Sequence, residues 1–144
     1  MSEAHSYRVE GTFYSARPSS APKFFQGRIW PLGSRAFQGT FIDCHGISDV
    51  EGHLSGDEMV FDKRYDTRSK FFRGGSDVPI HYSLCKSEIG GWTGTWVIEG
   101  DDGNGFVSLV ISEWDDKLPV LDPINKEVLV YGNMMLDLPP LSSA

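Results

Sequence analysis

The chain of 144 residues carries 13 Lys and Arg against 20 Asp and Glu, which gives a formal net charge of −7 at pH 7. This acidic balance argues against nucleic acid and anionic membrane surfaces as main partners, because both are negatively charged. No long apolar run predicts a membrane span, and residues 1–20 lack the apolar core of a signal peptide, so we expect a cytoplasmic protein. The length favours a single domain over residues 1–136, followed by a flexible C-terminal tail at 137–144.

A recurring pattern, apolar-x-Gly-x-apolar, organises the first half of the chain and returns later. Alternate side chains of a β-strand share a face, so each unit places two apolar side chains and a glycine together. Glycine within a strand marks a bend or a close approach of two backbones, and its repetition predicts a strongly curved antiparallel sheet. The pattern occupies residues 9–13, 25–29, 37–41, 50–54 and 92–96.

Four further segments have the composition of strands. In residues 59–65, alternation places Phe61, Lys63 and Tyr65 on one face. Residues 78–84 contain Pro79, which belongs at the start of a strand or at a sheet edge. Residues 106–111 are almost continuously apolar, so we expect them to be buried on both faces or covered by a tail. These segments are residues 59–65, 78–84, 106–111 and 126–131.

About eight short strands in one small domain, joined by short turns, predict an all-β fold. We favour a meandering antiparallel β-barrel, because consecutive strands are close in sequence and the glycines let the sheet curve and close. No segment has the apolar spacing of a long helix, and short helices or turns are expected only at residues 15–23 or 112–117. A barrel of this size encloses either packed side chains or one small ligand.

Four short motifs recur along the predicted barrel: Phe61-x-Lys63-x-Tyr65, Ile80-x-Tyr82, Trp92-x-Gly94-x-Trp96 and Gly105-Phe106. Together they resemble calycin-like β-barrel proteins, the superfamily of lipocalins, fatty-acid-binding proteins and avidins. The resemblance covers residues 36–111 and implies a barrel that binds a small ligand. The early Gly-x-Trp of typical lipocalins is matched only approximately, by residues 27–30.

Lys63 and Tyr65 are the first candidate functional residues. On the inner face of a barrel they would project into a mostly apolar space. There Lys63 would anchor an acidic ligand or act as a catalytic amine, because desolvation lowers the pKa of a lysine. The alternative is that Lys63 extends to the barrel mouth and keeps its ammonium group in water, as lysines usually do.

The aromatic side chains of the later strands are candidates for the wall of a ligand pocket. Pockets are mostly apolar and aromatic, with a few polar groups that orient the ligand. The alternative is that these rings fill the barrel core, since large rings serve both purposes in a small barrel. The residues concerned are Phe61, Tyr82, Trp92 and Trp96, with Met59 beside them on the same face.

Other polar clusters favour structural explanations. Cys44, His45 and His53 lack the spacing of a zinc site, so neither a metal nor a cofactor is expected. Cys44 and Cys85 are expected to be reduced thiols. The acidic and amide side chains of residues 99–104 suit a β-turn better than a calcium loop.

A basic run at residues 63–73 stands out in an acidic protein. Such a run binds a phosphate, a carboxylate or an acidic partner, or it forms a solvated hairpin loop, and we favour the loop. Phe71 and Phe72 lie inside the run and are expected to cap the barrel mouth, because large apolar rings are disfavoured in water.

Three functional hypotheses follow. The first is binding of a small apolar or amphipathic ligand in the barrel cavity. The second is an enzyme, an isomerase, cyclase or hydrolase of a small hydrophobic substrate, which a carboxylate or histidine converging on Lys63 and Tyr65 would favour. The third is a protein-interaction or homodimerisation module. The predicted ligand-binding residues are Phe61, Lys63, Tyr65, Tyr82, Trp92 and Trp96.

Overall fold

The computed structural model describes residues 5–17, 20–69, 72, 74, 77–100, 102–115, 117, 119–121 and 128–131. Within these ranges the chain forms β-strands and turns but no helix, and so no helix that could span a membrane. The strands are β1 (Tyr7–Ser15), β2 (Lys23–Leu32), β3 (Ala36–Asp43), β4 (Gly46–Ser55), β5 (Glu58–Tyr65), β6 (Ile80–Lys86), β7 (Trp92–Ile98), β8 (Asn104–Glu113), β9 (Pro119–Leu121) and β10 (Val128–Tyr131).

Strands β1 to β8 form a closed barrel in which each strand pairs with the next in sequence order. All eight pairings are antiparallel, and β8 returns to pair with β1. The predicted all-β, eight-stranded meandering barrel is therefore confirmed. Closure leaves no unpaired strand edge within this sheet. Strands β9 and β10 pair with each other in a separate two-stranded sheet.

The glycines of the repeated pattern have a steric role inside the barrel. A Cβ added to Gly52 would overlap the carbonyl oxygen of Val60 on β5, and one added to Gly94 would overlap that of Ser83 on β6. Only hydrogen fits between the backbones at these points. The flanking apolar residues of each unit point inward, so the repeated pattern marks the places where neighbouring strands approach most closely. The same holds for Gly11, Gly27 and Gly39.

Aromatic rings form the centre of the core. Phe25 stacks on Phe41 with ring centroids 5.2 Å apart, and Phe41 meets the edge of Phe61 at 5.7 Å. Phe61 in turn stacks on Tyr82, with centroids 4.5 Å apart and the planes within 9° of parallel. This chain of rings joins β2, β3, β5 and β6 across the interior and holds Tyr82 in one orientation.

Of the two alternatives expected for residues 106–111, the first, burial on both faces, is wrong. The second, cover by a tail, stays a prediction, because the predicted tail at 137–144 lies outside the described residues. Val107 and Leu109 face the core, but Phe106 and Val110 are 45% and 52% exposed. The strand belongs to a barrel wall, which has only one inner face, and the outer Phe106 ring packs against Tyr14 at 5.3 Å. Continuous apolar composition therefore does not distinguish a doubly buried strand from a wall strand with an apolar outer surface.

Other boundary predictions can also be compared with the strands. Pro79 directly precedes the first residue of β6, as expected for a residue that cannot donate a ladder hydrogen bond. The described residues of 15–23 and 112–117 contain no helical turn. Cys44 and Cys85 are free thiols, as predicted. The proposed tail at 137–144 lies outside the described residues.

Candidate functional site

Three side chains form a buried polar cluster at one end of the barrel. The Nζ atom of Lys63 lies 3.1 Å from Oδ2 of Asp43 and donates a hydrogen bond to the Tyr65 hydroxyl at 3.0 Å. The Tyr65 hydroxyl donates its own proton to the same Asp43 oxygen at 2.7 Å. Asp43 has no exposed surface and Lys63 is 2% exposed, so the ion pair is removed from water. We call these three residues the inner cluster.

Strand alternation and one turn place the inner cluster. Lys63 and Tyr65 are alternate residues of β5 and point inward together. Asp43 is the last residue of β3, directly before the turn into β4, and its Oδ1 accepts a 2.7 Å hydrogen bond from the backbone N–H of His45. Both carboxylate oxygens of Asp43 are therefore used, one by the turn and one by the cluster.

The surroundings of the cluster hold the lysine in its charged form. Burial alone would lower the pKa of Lys63, but its polar neighbours, first Tyr82 and then Asp43, outweigh burial and hold that pKa well above its ordinary value. Burial raises the pKa of the hydroxyl groups of Tyr65 and Tyr82, and the charge of Lys63 only partly opposes that rise. At neutral pH the lysine is thus protonated and the two phenols are neutral.

A cavity of about 220 Å³ adjoins the inner cluster. It lies at the end of the barrel that includes the β3–β4 turn and the β5–β6 connection, because His45 and Gly74 belong to its wall. Most of the wall is aromatic or aliphatic. The described lining residues are Phe13, His45, Lys63, Tyr65, Gly74, Ile80, Tyr82, Trp96 and Ile98.

The structure brings four of the six predicted site residues to this cavity, namely Lys63, Tyr65, Tyr82 and Trp96. Phe61 lies behind Tyr82 and supports its ring rather than lining the space. Trp92 is not among the lining residues and packs against the core from a half-buried position. The Trp96 indole N–H is already donated to the Phe106 carbonyl at 3.1 Å.

The expectation that Lys63 extends to the barrel mouth is wrong. Its ammonium stays inside because Asp43 supplies a buried counter-charge and the rings of Phe13 and Tyr82 lie within 4.7 and 5.3 Å of Nζ. The idea of a catalytic amine with a lowered pKa is not supported either, because the same partners stabilise the protonated form. Lys63 is a charged structural and electrostatic group of the site.

Sequence reasoning did not identify Asp43 and His45. The signal for Asp43 was present, since Phe37, Gly39 and Phe41 alternate on the inner face of β3 and the next position on that face is Asp43. A carboxylate at such a position requires a buried partner, and an inward Lys63 elsewhere offers one. His45 carries no comparable signal, because its position depends on the conformation of the turn.

The other sequence clusters do not converge. Among the described residues no three His, Cys, Asp or Glu side chains form a metal-binding group, and His53 is exposed on the outer wall while His45 lines the cavity. The basic run begins on β5, where Lys63 points inside and Arg64 outside, and continues with the exposed Arg68 after the strand. Its other members, Lys70 and Arg73, lie outside the described residues. Phe72 packs against the core, whereas Phe71 lies outside the described residues.

No protein-family model, no curated protein and no solved structure matches this chain. The closed antiparallel barrel of eight strands is consistent with a calycin-like architecture at the level of fold. Because one fold hosts many functions, the function must be argued from the cavity and the inner cluster.

Proposed function

We propose that the protein binds a small, mostly apolar molecule that carries one neutral hydrogen-bond acceptor, in the cavity beside the inner cluster. The observation that carries this proposal is the cavity of about 220 Å³ with an aromatic wall and a buried polar end. An apolar cavity of about 150 Å³ accommodates benzene, and pockets for drug-sized ligands begin near about 300 Å³. The expected ligand is therefore about the size of one substituted ring.

The charge balance of the site favours a neutral ligand. Lys63 is the charged residue among the described lining groups, and Asp43 already neutralises it at 3.1 Å. Among the described lining groups an anionic ligand would find no unpaired counter-charge, and burying a charge in that way costs several kcal/mol, on the order of the desolvation penalty of one ion. An unpaired Lys63 would have favoured an acidic ligand, but its ion pair with Asp43 favours a neutral one.

Tyr82 is the donor that would orient the ligand. Tyr82 lines the cavity, and its hydroxyl donates no hydrogen bond to any residue that the structure describes. Its O–H proton is therefore available to a carbonyl, hydroxyl or ether oxygen in the cavity. The Tyr65 hydroxyl cannot take this role, because its proton is given to Asp43.

Calorimetric titration with three ring compounds of similar size tests the proposal. Acetophenone offers a neutral acceptor, ethylbenzene offers none, and benzoate is an anion. We expect acetophenone to bind tightest and benzoate weakest. Replacement Tyr82→Phe removes one hydrogen bond, worth about 1 kcal/mol, so acetophenone affinity should fall about three- to tenfold while ethylbenzene affinity is unchanged.

Tyr14→Phe is the matched control, because Tyr14 lies on the outer surface against Phe106. It should leave all three affinities unchanged. Absence of binding of every neutral probe, or benzoate binding more tightly than acetophenone, would contradict the proposal. Native mass spectrometry of protein purified from cells would then identify what, if anything, occupies the cavity.

A further inference from the structure

The imidazole of His45 lies at the wall of the cavity. Its ring meets the edge of the Tyr65 ring with centroids 5.9 Å apart, and its backbone N–H is tied to Asp43. Its ring nitrogens make no hydrogen bond with any residue that the structure describes, unlike the ring of His81, which is bonded through both nitrogens. A lone pair of His45 is thus available to whatever occupies the cavity.

The same cavity contains a donor suited to an oxygen that gains negative charge. The Lys63 ammonium lies 5.3 Å from the centre of the Tyr82 ring, so a negative charge next to the Tyr82 hydroxyl is stabilised by the hydroxyl proton and by this nearby cation. Such a donor, held in one orientation by the stacking of Tyr82 on Phe61, stabilises an oxyanion better than mobile water does. Asp43 does not touch the cavity and serves as a positioning residue for Lys63.

We propose that the cavity catalyses enolisation of a small ketone, with His45 as the base and Tyr82 as the donor to the carbonyl oxygen. This inference rests on the proposed function, because the ketone is the neutral acceptor ligand. It assigns a reaction to the histidine that contacts Tyr65 at the wall of this cavity.

The step balances without any further reactant. A neutral nitrogen of His45 removes a proton from the carbon next to the carbonyl, and the C–H electron pair becomes the C=C bond of the enolate. The carbonyl π pair moves to oxygen, which accepts the hydrogen bond from Tyr82. Return of a proton from the His45 imidazolium to the same carbon restores the ketone. In D₂O the imidazolium first exchanges its N–H proton with solvent, so the particle returned to carbon is a deuteron.

Proton exchange at the methyl group of acetophenone, followed by NMR in D₂O, tests the inference. The wild-type protein should exchange these protons faster than buffer with the same concentration of free imidazole. Because a general base contributes about 10²- to 10⁴-fold, His45→Gln should lower the protein-dependent rate at least about a hundredfold. Tyr82→Phe should lower it about a hundredfold as well, beyond its effect on binding.

Matched controls separate chemistry from folding and binding. His53→Gln changes an exposed histidine of the outer wall and should leave the exchange rate unchanged. Calorimetry on the same samples gives the bound fraction of acetophenone, which His45→Gln should leave within about twofold. Bound acetophenone that exchanges at the buffer rate overturns this inference and leaves the binding function intact. Failure of acetophenone to bind overturns both.

Discussion

Strand β5 carries two ionic clusters back to back, one on each face. On the inner face Lys63 contacts Asp43 and Tyr65, whereas on the outer face the neighbouring Asp62 contacts Nδ1 of His81 at 2.6 Å. The outer cluster is completed by Glu99, whose Oε1 lies 3.0 Å from Nε2 of His81. Lys63 is 2% exposed, whereas the side chain of Asp62 is 55% exposed.

Burial, rather than contact distance, determines how much the loss of one charge from each cluster should change the free energy of unfolding. Exposed ion pairs contribute about 0–1 kcal/mol, because water and salt screen them. Buried pairs lose several kcal/mol of hydration per ion, which their mutual attraction roughly offsets, so removal of a single partner costs about 3–5 kcal/mol. The inner cluster is therefore a poor source of net stability, although loss of one of its charges is costly.

The largest expected difference between the clusters follows from removal of one carboxylate on each face. Asp43→Asn keeps the shape of the side chain but leaves the Lys63 ammonium buried without a counter-charge, so it should lower the free energy of unfolding by about 3–5 kcal/mol. Asp62→Asn, the matched change on the outer face, should cost less than about 1 kcal/mol. Urea denaturation of both variants at pH 7 measures the difference.

A double variant shows whether the unpaired charge is the cause. Adding Lys63→Met to Asp43→Asn removes both charges, and the double variant should be more stable than Asp43→Asn alone. Equal stability of Asp43→Asn and Asp62→Asn would contradict the contrast between the two faces. A double variant no more stable than the single one would show that lost packing, rather than the buried charge, causes the damage.

The inner face of the barrel was largely predictable from the sequence. Alternation along β5 placed Phe61, Lys63 and Tyr65 together, and the glycine repeats indicated the curvature that closes the sheet. These features depend on local spacing, which a strand preserves wherever it lies. Which residues become neighbours on adjacent strands depends on the pairing register, which no local sequence pattern predicts. The register pairs Val50 with Lys63 and Gly94 with Leu84.

Exposure was less predictable than orientation. The protonated Lys63 remains inside only because Asp43 lies 20 residues earlier on another strand, so its burial was not evident from β5 alone. Trp92 and Trp96 share a strand face, yet only Trp96 reaches the cavity, because the two residues lie at different depths along the barrel. Depth depends on strand tilt and closure, which are properties of the whole sheet.

Asp49 is intermediate in burial between the inner and outer clusters, because it lies half-buried on the outer face of β4. Burial and then the nearby carboxylates of Asp66 and Glu51 raise its pKa from 3.8 to about 6. The folded state therefore holds the proton more tightly than the unfolded state. The stability contributed by Asp49 is fully present below about pH 4 and is lost as pH rises through about 6.

Replacement Asp49→Asn should remove this pH dependence. After allowance for solvent screening of a half-exposed group, we expect the variant to be about 1 kcal/mol more stable than the wild type at pH 7 and equally stable at pH 4. Urea denaturation at the two pH values measures both differences. Asp57→Asn, the same change at an exposed turn, is the matched control for replacing a carboxylate by an amide. A gain of equal size at both pH values would contradict the electrostatic explanation.

The smallest expected effect belongs to the outer cluster itself. Hydrogen bonds from His81 to Asp62 and then to Glu99 raise the pKa of His81 above its ordinary value of 6.5. This contribution is fully present below about pH 6.5 and is lost as pH rises through the raised pKa. Because the imidazole is 41% exposed, its contribution to stability should be only a few tenths of a kcal/mol, on the order of an exposed ion pair.

NMR titration of the His81 ring protons is the sensitive measurement here, since unfolding experiments would not resolve so small an energy. Asp62→Asn should lower the His81 pKa more than Glu99→Gln does, because the 2.6 Å contact to Asp62 is the shorter of the two. Added salt at about 1 M, where the Debye length falls to about 3 Å, should lower the wild-type pKa as well. A titration that neither variant shifts would mean that these contacts do not persist in solution, and the outer cluster would then contribute nothing.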